Sequence, residues 1–129
     1  MSDYPVYKKA KEIDVFVKDP NSNEYEGWCW PGSSSWVDFF NPAAWDWWKN
    51  IFKFDGDNSV WRWTKSNENV FVWNDMNEPA VFNGPEITMP KDNLHHGGWE
   101  HRDIHNINGM LFVCLSWLLR PELIDVELS

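Results

Sequence analysis

The stretch Phe71–Pro79, FVWNDMNEP, carries the decision about the fold. With the two residues before it, it opens as NVFVW (Asn69–Trp73), a short and nearly continuous apolar run. Such a run marks a strand buried on both faces, as in the parallel sheets of α/β proteins. It ends abruptly in Asn74, Asp75, Met76, Asn77, Glu78 and Pro79. Carboxylates and amides therefore stand at the C-terminal mouth of a buried strand, where α/β barrels build their active sites. A buried carboxylate is costly unless it is hydrogen-bonded or used. Asp75 is thus either a catalytic group or the cap of a turn, and the residue types alone leave both open.

Upstream, Pro5–Glu12 is predicted to form a short helix with Tyr4, Val6, Tyr7 and Ala10 on one loose apolar face. Ile13, Val15 and Val17 alternate with other residues and predict a strand. Asp19–Glu24 (DPNSNE) reads as a turn and Tyr25–Trp30 as the returning arm of a hairpin, ended by a loop over Pro31–Ser35. Asn41-Pro42 is a helix start, because Asn can cap free amides and Pro tolerates the first helical position. Ala44, Trp45, Trp48, Ile51 and Phe52 then recur at helical spacing to about Lys53, which assigns Trp45 and Trp48 to the core. Asp55–Asn69, containing Trp61–Trp63 (WRW), is a polar surface excursion. Beyond Pro79 a long loop leads to a helix expected from about Asp103 to Leu119.

Hairpin, helix, buried strand, polar loop and helix in that order fit an α/β fold with parallel strands. Too few strands are present to close a (β/α)8 barrel, which takes eight strands and about 250 residues. The chain's 129 residues make one compact domain at most.

Aromatic residues reach 17%, with 11 Trp, and a Trp face suits either a dense core or stacking on a sugar ring. The formal charge of -9, from 20 acidic and 11 basic residues, excludes the basic face that nucleic-acid binders present. Cys29 and Cys114 are too few for a disulfide scaffold. The opening MSDYPVYKKAKEIDVF has no apolar signal region, and the apolar stretch Met110–Leu119 is far short of the ~20 residues of a membrane span.

WNDMNEP is similar to the nucleophile signature of glycoside hydrolase family 31. EGWCWPGSSSWVDFFNPAAWDWW (Glu26–Trp48), VFNGPEITMPKD and HHGGWEHRDIHN agree with that family in order. The extended combination resembles its glucosidase II branch, which trims glucose from N-linked glycans in the endoplasmic reticulum. The resemblance implies an incomplete (β/α)8 TIM barrel over residues 1–112: an inserted hairpin and loop, one barrel helix, the nucleophile strand, and the following loop and helix. After Phe112 the sequence leaves the family pattern, so residues 113–129 are expected to be a divergent tail.

Carried over by position, the resemblance makes Asp75 the catalytic nucleophile of a retaining glycosidase. Met76 would line the pocket of the sugar being cut, Trp30 would form part of its wall, and Asn77 and Glu78 would support the nucleophile. An ionised nucleophile needs hydrogen-bond donors, for which Asn74 and Asn77 are candidates. The second carboxyl group of the mechanism, about 5–5.5 Å away, is in the family an Asp on a later strand that this chain lacks. Glu78 is not assigned that role. The substrate implied is an α-glucoside such as an N-glycan oligosaccharide, with no cofactor. The implied location is the endoplasmic reticulum lumen, and the glucosidase II β subunit is a candidate partner.

Three other classes compete. His95, His96, His101 and His105 gather near Glu100 and Asp103, but a zincin helix would need Glu where Arg102 stands, so a hydrogen-bonded loop and helix start is expected instead of a metal site. A non-catalytic carbohydrate-binding module would use Trp28, Trp30 and the WRW loop, but such modules are commonly β-sandwiches, which the Asn41–Lys53 helix does not suit. A regulatory fragment that binds the β subunit is the third, and no residue here identifies its surface.

Overall fold

The computed structural model describes residues 3–52 and 73–117. The first helix, α1, spans Pro5–Glu12. It buries Ala10, packs Val6 and Tyr7 on the core, and leaves Tyr4 exposed. Val15, Phe16 and Val17 follow it and are all buried in succession. They do not form the alternating strand predicted for Ile13–Val17; single antiparallel bridges, Phe16 with Val37 and Lys18 with both Glu24 and Leu94, hold this segment between two layers. A segment clamped on both sides buries every side chain, which removes the one-sided alternation.

Asp19 closes the predicted turn by accepting from the backbone N–H of Asn21 (2.8 Å) and of Asn23 (2.9 Å). The hairpin itself falls later than expected. Strand β1, Glu26–Cys29, pairs antiparallel with β2, Gly32–Ser35, in the register Trp28 opposite Ser33 and Cys29 opposite Gly32. Pro31–Ser35, expected as a loop, is therefore mostly strand, and Gly32 supplies the positive φ (+97°) that reverses the chain. Among the described residues these two antiparallel strands are the only sheet.

Helix α2, Pro42–Ile51, starts as predicted, with Asn41 Oδ1 accepting from Ala43 N–H (3.0 Å) and Pro42 in the first turn. Its buried face is Ala44, Trp47 and Ile51. Trp45 is 38% exposed while Trp47 is 6% exposed, so the core tryptophan is Trp47, with Trp48 packed partly behind it. Trp45 lies along the surface and donates Nε1–H to the Phe39 carbonyl at 2.8 Å.

Helix α3, His101–Trp117, begins two residues before the predicted start and runs through Phe112 without a break. It meets α2 through an aromatic seam: Phe112 stacks on Phe39 (4.9 Å between centroids) and meets Trp48 edge-on (5.7 Å). Trp48 Nε1–H also donates to Ser116 Oγ at 3.1 Å. A second small core of Val17, Val81 and Met89 joins the hairpin to the segment after Pro79. No helix among the described residues is long and apolar enough to cross a membrane.

Candidate functional site

Of the predicted strand Asn69–Trp73, residues 69–72 lie outside the described residues, as do Asp55–Asn69 and the WRW tripeptide. Trp73 is in an irregular segment and 87% exposed. From there the chain passes through Asp75, whose side chain is exposed, to Met76, which adopts a left-handed conformation (φ +62°). Such a backbone is disfavoured for a residue with a Cβ, by about 1–2 kcal/mol. Asp75 Oδ1 accepts from the Met76 N–H at 2.9 Å, and this local bond stabilises the turn. Among the described residues it is the donor to Asp75; neither Asn74 nor Asn77 serves that role.

Asn77, Glu78 and Pro79 complete the turn and set the loop on α3. A Cβ built on Gly109 would lie 2.9 Å from the Asn77 carbonyl oxygen, so helix and loop touch backbone to backbone. Asn77 Oδ1 is buried and has no partner among the described residues. Asn77 and Glu78 line one side of a groove whose other side is His105, Gly109, Met110 and Cys114. Met76 and Asn77 also border a second pocket with Phe39, Trp48, Met89 and Phe112.

Trp30 sits at the hairpin tip, 76% exposed, with its ring edge-on to Phe82 at 5.0 Å. Two bonds tie the hairpin to the segment after the Asp75–Glu78 loop: Phe82 N–H donates to the Trp28 carbonyl (2.7 Å) and Trp28 N–H to Asn83 Oδ1 (2.8 Å). Gly27 allows this approach, since a Cβ there would meet Val81 Cγ1 at 2.8 Å. An exposed Trp face anchored beside that segment can stack on a sugar ring.

The histidines form a chain with a residue not singled out from sequence, Asp38. His95 Nδ1 lies 2.8 Å from Asp38 Oδ1, His95 Nε2 lies 3.0 Å from His101 Nδ1, and His101 Nε2 lies 2.8 Å from His105 Nδ1. Asp38 Oδ2 accepts from His96 N–H at 2.6 Å. The expected hydrogen-bonded loop and helix start is present. Among the described residues no group of three or more His, Cys, Asp or Glu is arranged to hold a metal ion. Burial, then the neighbouring rings of His95 and His105, hold His101 at a pKa of about 4. The one available signal for Asp38 was an acid inside an aromatic run, Trp36–Phe40.

The family profile described as “Glycosyl hydrolases family 31 TIM-barrel domain” matches residues 1–122. The chain is 53% identical to neutral alpha-glucosidase AB of Mus musculus over 109 residues, covering 84% of this chain and 11% of that protein. It superposes on the crystal structure of a DNJ-bound glucosidase II alpha subunit with a TM-score of 0.83 and 55% identity, covering 92% of this chain and 12% of that one. It matches equally, at 0.83 and 55%, the catalytic subunit in a crystal structure of the heterodimeric ER glucosidase II complex with the binding domain of the regulatory subunit, again covering 92% and 12%. The chain thus spans about 11% of the length of the curated relatives it matches.

Proposed function

The chain belongs to glycosyl hydrolase family 31, and from that premise we propose that it is the nucleophile-bearing part of a retaining α-glucosidase that removes terminal α-linked glucose from oligosaccharides. The observation that carries this reading is the match to glucosidase II alpha subunits at 55% identity and a TM-score of 0.83, taken with the segment WNDMNEP. Asp75, as the carboxylate, attacks the anomeric carbon and forms a glycosyl-enzyme; water then releases the sugar with its configuration kept. Trp30 supplies an aromatic wall for the sugar, Met76 the pocket edge, and Asn77 and Glu78 the support of the loop. The acid/base carboxyl group that this mechanism also needs is assigned to none of the 129 residues.

Asp75 is exposed, which leaves its carboxylate open to a substrate. N-glycan trimming in the endoplasmic reticulum lumen and pairing with a regulatory subunit belong to the same proposal, supported by what the matched complex contains. In the full-length enzyme, Asp75→Asn is expected to abolish turnover while glucose binding persists. A fluorinated glucosyl fluoride is expected to label the peptide that contains Asp75. Label on another carboxylate, or undiminished turnover in Asp75→Asn, overturns the assignment.

A further inference from the structure

The Asp38–His95–His101–His105 chain has a direction, and one end sets it. Asp38 is buried and accepts three hydrogen bonds, from Phe40 N–H (3.1 Å), His96 N–H (2.6 Å) and His95 Nδ1 (2.8 Å). A carboxylate has no proton to give, so His95 Nδ1 must carry one. A neutral His95 then has a bare Nε2, which accepts from His101 Nδ1–H; His101 Nε2 is bare in turn and accepts from His105 Nδ1–H. The last free nitrogen is Nε2 of His105, whose ring lines the groove shared with Asn77 and Glu78. His101, His105 and Gly109 are spaced four residues apart on α3 and share one face, and Gly109 is the seat of Asn77.

We propose that Asp38, His95, His101 and His105 form a one-way relay that holds three neutral imidazoles in the Nδ1–H tautomer and makes His105 a positioning residue for the Asp75–Glu78 loop. The relay fixes the depth and rotation of α3 against the loop that precedes it, and so the height at which Asn77 rests on Gly109. It also presents an acceptor nitrogen to the groove. The titratable groups that share the groove with His105 are Glu78 across it and Cys114 on the same helix, and the ring of Phe40 covers His95 edge-on.

The effect on turnover rests on the nucleophile role of Asp75, whereas the tautomers do not. Long-range proton–nitrogen correlation on histidine-labelled chain is expected to show Nδ1–H tautomers at His95, His101 and His105 at neutral pH. Asp38→Asn is expected to mix or reverse them with the backbone fingerprint otherwise retained. Nε2–H tautomers in the unsubstituted chain, or no change in Asp38→Asn, overturn the relay. In the full-length enzyme His105→Leu is expected to lower kcat ~10-fold with KM within about twofold. His105→Asn keeps a donor at the Nδ1 position and restores most of kcat. Equal loss in both variants, or no loss in either, overturns the positioning role, and this pair decides the matter if the isolated chain gives no dispersed spectrum. Failure of Asp75→Asn to abolish turnover strikes only the nucleophile assignment.

Discussion

The Asn77 carbonyl oxygen occupies the space next to Gly109 that any side chain would need, 2.9 Å from where a Cβ would be. Two residues after the candidate nucleophile, the loop is therefore set directly on the backbone of α3, with no flexible side chain between them to absorb a change.

Gly109→Ala is accordingly expected to destabilise the fold, although Ala favours a helix by up to about 1 kcal/mol over Gly. The clash is with backbone, so the loop or helix must shift, at a net cost of about 1–3 kcal/mol. Urea unfolding midpoints of the two proteins measure it; an Ala variant as stable as the parent would mean that loop and helix are not in contact.

The inward face of α2 is tested by comparing two neighbouring tryptophans. Trp47→Ala opens a cavity in the cluster with Ala10, Phe16 and Ile51 and should cost about 3–5 kcal/mol. Trp45→Ala loses one bond to the Phe39 carbonyl and part of an exposed face, and should cost about 1–2 kcal/mol. Chemical denaturation of both variants orders them.

Acid should loosen the protein through His101. Its pKa falls from 6.5 to about 4 in the folded chain, by burial first and then by His95 and His105. Between those values the unfolded chain binds a proton that the folded chain refuses, so stability is full above about pH 6.5 and is lost as pH falls toward 4. The loss is on the order of 2–3 kcal/mol. Unfolding curves at pH 7 and pH 4.5 measure it, and His101→Gln should flatten the dependence.

Trp30 separates sugar contact from folding. Its ring is 76% exposed, so Trp30→Ala should change stability by no more than about 0.5–1 kcal/mol. In the full-length enzyme the same change should weaken glucose binding about tenfold, the scale of one lost stacking contact. Calorimetric titration with glucose reads the second effect and thermal melting the first.

The local features were legible in the sequence because their causes are local. Asn41-Pro42 states a helix start through one side-chain acceptor and one fixed φ, and the structure has both. Asp19–Glu24 states a turn, and WNDMNEP states a family by wording alone. The face of α2 was not legible, because Ala44, Trp48 and Ile51 can share a stripe with either Trp45 or Trp47, and the cluster with Ala10 and Phe16 decides for Trp47. Nor was β2, a Gly and three Ser with no strand propensity, whose conformation comes from pairing with Glu26–Cys29. Asp38 and His95 are 57 positions apart and meet at 2.8 Å. The sequence by itself determined the caps, the turns and the family. Only the tertiary structure decided which aromatic faces are buried and which histidine nitrogen meets which partner, since both depend on contacts between segments distant along the chain.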